Sequence, residues 1–294
     1  MMRAPEVLAG PLGPIAYDIS GSGPPLVLLH GFPQTRAMWH RIAPDLAQHY
    51  TVICPDLRGY GASAKPDGVG HYSFRAMGDD IRALLDHLGI ARAHIAGHDR
   101  GARVAHRFAL DSPSRLRTLT VMDIIPTHTL FTRLTHDVAN SYYHWFFLAQ
   151  PAPLPDDMIA ADPDSYFEAC LRAWGPETAP AFAPEALAAY RTAWRAPGTI
   201  RAMCDDYRAA ATLDLADDTA DLGAQVTCPA LVLFAAGGLM DRAFDMEAVW
   251  AEKLTSFETQ GMPHGHFFPD HAPRQTAERL RAFLAAHDAP QSLD

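Results

Sequence analysis

Short apolar runs alternate with helix-period stripes through the first part of the chain. Ile15–Ile19, Leu26–Leu29 and Thr51–Cys54 are runs of strand length. Met77, Ile81, Leu84, Leu85 and Leu88 then recur on one helical face, closed by Gly89, a residue suited to ending a helix. Ala93–Ala96 predicts another buried strand, and Gly101, Val104, Ala105, Phe108 and Ala109 form a second helical stripe. Thr118–Met122 predicts a further strand. This order predicts an α/β fold with a mostly parallel sheet and helices on both faces.

The pattern changes after Asp123. Residues 127–212 are rich in aromatics and alanines, are broken by prolines from Pro151 to Pro197, and carry little strand signal. They predict several short helices. Strand character returns at Ala230–Ala235, followed by a helix around Asp245–Leu254 and a last one over Gln275–Ala286. The expected organisation is a core of 1–126 and 213–294 with a helical cap, 127–212, inserted between its halves. A cap so placed roofs the strand ends, where open α/β sheets bind ligands.

The most telling junction is Gly97-His98-Asp99-Arg100-Gly101, between a predicted strand and a predicted helix. A turn this sharp needs glycine on both flanks and thrusts its central side chain out at the top of the sheet. Here that side chain is a carboxylate. A serine would form an acyl-enzyme; a carboxylate attacks saturated carbon and becomes an ester that water must cleave. That chemistry is displacement of a halide or opening of an epoxide. Aspartate also caps helices, but the paired glycines and the buried strand favour the elbow. Arg100 sits in the first helical turn, where the macrodipole disfavours a cation, and Arg103 follows three residues on. Together they can clamp an organic carboxylate with forked hydrogen bonds and offset its repulsion from Asp99. Arg107 reads as an ordinary surface arginine.

The chain's 294 residues, 48% hydrophobic and 20% charged, suffice for a full core. A net charge of -10 argues against a nucleic-acid or anionic-membrane partner, so any positive field must be local. Cys54, Cys170, Cys204 and Cys228 show no C-x-x-C spacing and read as reduced structural thiols. The first twenty residues lack a signal-type apolar core, and no run is long enough to cross a bilayer; the cytoplasm is the expected location.

Four segments match together: His30-Gly31-Phe32-Pro33, Asp56-Leu57-Arg58-Gly59-Tyr60-Gly61, the aspartate elbow, and Gly265-His266-Phe267-Phe268. The chain resembles the α/β-hydrolase superfamily, in the branch of epoxide hydrolases and dehalogenases. Asp99-Arg100-Gly101-Ala102-Arg103, Tyr143–Gln150 and Cys204-Asp205-Asp206-Tyr207-Arg208 sharpen the resemblance to fluoroacetate (haloacetate) dehalogenases. One departure is Asp241, an acid where epoxide hydrolases usually carry theirs.

The resemblance implies hydrolysis of haloacetates to glycolate and halide, without metal or other cofactor. Asp99 is the implied nucleophile, and His266, in the loop before the last helix, the base that activates water. Asp123 would orient His266, with Asp241 as the rival. The backbone N–H groups of Phe32 and Arg100 would form the oxyanion hole. Arg100 and Arg103 would hold the substrate carboxylate, and His144, Trp145 and Tyr207 would donate hydrogen bonds to the leaving halide. His264 competes for the base role; a His264–His266 metal pair lacks further ligands. The partner implied is a small haloacid, and the family resemblance also implies a homodimer. The alternative reading is an epoxide hydrolase with the same Asp99, drawing a proton donor from Tyr142, Tyr143, Tyr166, Tyr190 or Tyr207. A haloalkane dehalogenase fits less well, because Arg100 stands where that group resembles a tryptophan. A non-catalytic binding protein on the same scaffold would leave nucleophile and base unexplained.

Overall fold

The computed structural model describes residues 4–10 and 12–288; the outermost positions of the expected core, 1–3 and 289–294, lie outside them. Eight strands form one sheet: β1 (Glu6–Gly10), β2 (Gly13–Ser20), β3 (Pro25–Leu29), β4 (Thr51–Pro55), β5 (Ala93–His98), β6 (Leu116–Met122), β7 (Ala230–Ala235) and β8 (Phe257–Met262). Their order is β1-β2-β4-β3-β5-β6-β7-β8. The β1–β2 and β2–β4 pairs are antiparallel and every other pair is parallel. All six predicted strands are present. The two that the sequence pattern missed, β1 and β8, are the edge strands, which are largely exposed. With one neighbour each they need few apolar side chains, so Phe257-Glu258-Thr259-Gln260-Gly261-Met262 carries little strand signal. β5, by contrast, is buried along its whole length.

Helix Phe74–His87 covers one crossover, with Ser73 accepting from the Ala76 N–H at its start and Gly89, at φ +69°, beyond its end. It buries Met77, Ile81, Leu84 and Leu85. Helix Arg100–Asp111 begins directly after β5 and buries Val104, Ala105, Phe108 and Ala109. Burying four such side chains contributes about 1.5–3 kcal/mol for each large one.

Between β6 and β7 the described residues form helices and loops without a strand of the sheet. Five of these helices matter below: Thr127–Thr132, Tyr143–Leu148, Pro184–Trp194, Thr199–Ala209 and Leu215–Ala220. Residue 212, the expected cap boundary, falls inside a continuous helical stretch from Thr199 to Ala220 that passes through a wider π turn at Ala210–Asp214. None of the helices among the described residues is long and apolar enough to cross a membrane.

Arg107 is not a surface residue. It is 4% exposed and donates to Asp111 and Asp221 at 2.5 and 2.7 Å. Its position on the helix let neighbouring segments fold over it, which the local sequence does not reveal.

Candidate active site

The site is assembled at the C-terminal ends of β5, β6, β7 and β8. Asp99 follows β5 at φ +48°, ψ −117°, a conformation that costs about 1–3 kcal/mol for a residue with a Cβ. Close packing makes the turn possible. A Cβ on Gly97 would lie 2.3 Å from the Gly101 carbonyl oxygen, and one on Gly101 would lie 2.4 Å from that of His30. Asp99 occupies the cap position of its helix, yet its side chain accepts no capping bond. Its Oδ1 instead accepts the Phe32 backbone N–H at 2.9 Å.

Two other residues with side chains take positive φ among the described residues, Asp123 (+54°) and His264 (+71°), and both belong to the same site. Asp123 follows β6. Its Oδ1 accepts the Ala235 N–H at the end of β7 at 2.7 Å, and its Oδ2 contacts His266 Nδ1 at 2.6 Å. His266 Nε2 then points toward Asp99 Oδ2 at 3.9 Å, too far for a hydrogen bond, and has no protein partner. The structure therefore places Asp123 against His266. Asp241 lies on the Leu239–Ala243 helix and accepts the Gly237 N–H at 2.8 Å.

The charges are settled by surroundings. Burial alone would raise the Asp99 pKa, but His266, His98, Arg100 and the Phe32 N–H together bring it down to about 2. Burial disfavours a charged His266, yet its hydrogen bond to Asp123 and the charges of Asp123 and Asp99 outweigh that and raise its pKa. His98, in the elbow itself, is held neutral chiefly by burial, with a pKa near 4, and its Nε2–H donates to the His266 carbonyl at 2.9 Å. His98 had no assigned role in the sequence; here it ties the elbow to the histidine loop.

Arg100 and Arg103 are 0% and 4% exposed, and both act electrostatically on Asp99 or are acted on by it. Arg100 Nε donates to Asp206 Oδ2 at 2.9 Å, and its Nη2 bonds both Asp206 Oδ1 and the Asp206 carbonyl. Arg103 Nη1 donates to the Ile125 carbonyl and the Thr127 hydroxyl, each at 3.0 Å. Each keeps a buried nitrogen without a protein partner: Arg100 Nη1 and Arg103 Nε.

The helices over the strand ends supply His144, Trp145 and Tyr207. The Trp145 ring lies 4.5 Å from the Arg103 guanidinium carbon and 5.0 Å from that of Arg100. Tyr207 packs edge-on against Trp145, His144 and Phe32, with ring centroids 5.3, 5.5 and 5.1 Å apart. The Tyr207 hydroxyl and His144 Nδ1 are buried without partners. Burial lowers the His144 pKa to about 3 and raises that of Tyr207 well above its usual value, so both are neutral donors at neutral pH. The eight other sequence-predicted site residues thus gather around Asp99 or against the two arginines beside it. Of the tyrosines, Tyr142 and Tyr207 feel its charge, whereas Tyr190 donates to Asp270 and Tyr143 and Tyr166 lie near Cys170. A cavity of about 300 Å³ opens beside His266 and Asp123, lined also by Trp174 and Arg242.

Asp206 and Tyr60 lie within motifs visible in the sequence, but their contacts are not. The Tyr60 hydroxyl donates to Asp206 Oδ2 at 2.7 Å across 146 positions of chain.

A strand–elbow–helix carboxylate with a histidine–aspartate pair on the same sheet is the arrangement of a hydrolase site. The alpha/beta hydrolase fold family matches residues 24–273, and the chain belongs to that family. It is 52% identical over 270 residues to a fluoroacetate dehalogenase from Burkholderia sp, covering 91% of this chain and 89% of that protein. A soluble epoxide hydrolase from Corynebacterium sp. strain C12 is 33% identical over 92% of this chain and 93% of its own length. Among solved structures, ALR0039 from Nostoc sp PCC 7120 aligns with a TM-score of 0.93 at 43% identity, covering 95% of this chain and 97% of that one.

Proposed function

We propose that the protein hydrolyses haloacetates, fluoroacetate or chloroacetate, to glycolate and halide through an ester on Asp99. Asp99 Oδ2 attacks the halogen-bearing carbon while Oδ1 stays on the Phe32 N–H. The C–halogen bond breaks as the C–O bond forms, and the halide departs toward His144, Trp145 and Tyr207 with its electron pair. Fluoride is a poor leaving group, so donors aimed at its developing charge lower the barrier more than an apolar wall could. Neutral donors suit the task, since a cation there would hold the product halide.

Water then attacks the ester carbonyl carbon as His266 Nε2 takes its proton. The oxyanion forms on Oδ1, held by the Phe32 N–H and by the Arg100 N–H, which lies in the first helical turn where N–H groups lack intrahelical acceptors. His266 returns the proton to the departing glycolate oxygen. Esterification itself prepares this step: it removes the Asp99 charge, one of the influences that raise the His266 pKa, and so favours the neutral base.

The observation that carries this reading is the pair of buried arginines beside Asp99, each with a free N–H; buried cationic donors left open suit an anionic substrate better than an uncharged one. The 52% identical dehalogenase supports the same conclusion. The epoxide-opening reading draws on Tyr142 and Tyr207 as proton donors and on the 33% identical epoxide hydrolase. The test is one turnover in heavy-oxygen water with enzyme in excess. The glycolate hydroxyl should keep light oxygen, and Asp99 should acquire the heavy label. Heavy oxygen in the first product means direct attack by water and overturns the mechanism. Turnover of styrene oxide, with no halide released from fluoroacetate or chloroacetate, transfers the assignment to epoxides.

A further inference from the structure

Arg100 and Arg103 share one helical turn but keep different electrostatic company. Arg100 is wholly buried and binds Asp206 through both its Nε and its Nη2. Asp206 is equally buried and receives the Tyr60 hydroxyl at 2.7 Å. The Phe74, Trp145 and Tyr207 rings pack around the guanidinium, with its central carbon 4.7, 5.0 and 4.4 Å from their centroids. A cation and an anion locked together in this way present to a third ion the field of a dipole, not of a charge.

Arg103 has no such partner. Its two hydrogen bonds go to the neutral Ile125 carbonyl and Thr127 hydroxyl, and among the described residues it pairs with no carboxylate. Asp99 and Asp218 act on it only at longer range. Burial, and then the charge of Arg100, bring its pKa down to about 10, which leaves it cationic at neutral pH.

We infer that the two arginines divide the work: Arg103 supplies the buried uncompensated positive charge for the substrate carboxylate, while Asp206, braced by Tyr60, neutralises Arg100 and fixes it as an oriented hydrogen-bond donor. Asp206 is then a positioning residue that sets the net charge of the pocket. The inference rests on the haloacetate reading and refines it. It also explains how the pocket accepts an organic anion without holding either substrate or glycolate as firmly as two free guanidinium charges would.

The test is calorimetric binding of acetate, an unreactive carboxylate, against acetamide, its neutral counterpart of similar shape. The haloacetate reading requires the native protein to prefer acetate; no preference defeats that reading, whatever the arginines do. Given the preference, Arg103→Gln should cost about 30-fold or more in acetate affinity and erase it. The double variant Arg100→Gln/Asp206→Asn removes one charge of each sign, so acetate affinity should stay within about fivefold, the equivalent of one lost hydrogen bond. Asp206→Asn alone frees the Arg100 charge and should tighten acetate by about threefold or more, whereas a merely structural Asp206 would weaken it. Equal losses in Arg103→Gln and the charge-balanced double variant, or weaker acetate binding in Asp206→Asn, overturn the inference. Should circular dichroism show that the Asp206 variants do not fold, Arg103→Gln decides alone: acetate preference surviving that change means that Arg100 carries net charge.

Discussion

The two sides of Asp99 are built on different terms. On the sheet side, each polar group is held by the next: the Ala235 N–H fixes Asp123, Asp123 fixes His266, and the His266 carbonyl accepts from His98. On the other side, His144 and Tyr207 reach the site from separate helices with polar atoms that no protein group engages. The sheet side also holds the titrating groups, while the helical side offers neutral donors. In the proposed reaction a proton must be moved repeatedly on one side, which demands fixed geometry and a tuned pKa. On the other a small anion must be stabilised briefly and then released, which demands donors without a full charge. On the proposed mechanism, the contrast means that the site separates water activation from leaving-group stabilisation in space, with Asp99 at the boundary.

Breaking the sheet side should have the largest effect and split the reaction. His266→Asn should release one halide per active site at near-native rate and then stall, with steady-state turnover down by about 10³-fold or more. Mass spectrometry should find the ester on Asp99; a variant that stalls with no adduct would place His266 in the first step and dissolve the comparison.

Asp123→Asn should come next, with steady-state turnover lower by about 10²- to 10⁴-fold. Its pH profile is the sharper readout. Asp123 raises the His266 pKa through its hydrogen bond and its charge, and the base must be unprotonated. Activity of the native protein should therefore rise with pH through an apparent pKa above the ordinary histidine value. In Asp123→Asn that limb should move to lower pH even as the plateau falls. A limb that stays in place means that another group is titrating.

Tyr207→Phe tests the helical side. It removes only the unpartnered hydroxyl, so halide release should slow by about 10- to 100-fold for fluoroacetate and less for chloroacetate, whose leaving group needs less help. Decay of a preformed ester should be unaffected, as measured by rapid quench. The smallest effect belongs to Asp241→Asn. That carboxylate caps the Gly237 N–H in an exposed loop, so turnover should change by less than about twofold, in keeping with a lost surface contact.

Much of this was legible without coordinates. The elbow announced itself because a tight strand-to-helix turn leaves no choice but glycine at its flanks, and Gly97 and Gly101 are both within 2.5 Å of backbone oxygens once a Cβ is placed on them. The buried strands were legible because two-sided burial demands apolar runs; β1 and β8 were not, since an exposed edge demands little. Arg107 misled because the residues that cover it, such as Asp221, are distant in sequence. Asp206 lies inside a motif, but its partner Arg100 is 106 positions away, so nothing local marks it as the acid that pairs with that arginine.

By itself, then, the sequence determined the candidate groups: a carboxylate at a glycine-flanked bend, a histidine before the last helix, and two arginines one turn apart are local facts of residue type and spacing. Only the tertiary structure decided which acid lies against His266 and which arginine is paired with a carboxylate. Both depend on distances between segments far apart in the chain. Asp123 meets His266 across 143 positions, and Asp206 meets Arg100 across 106. A charge acts through what surrounds it, and those surroundings exist only once the sheet has closed beneath its helices.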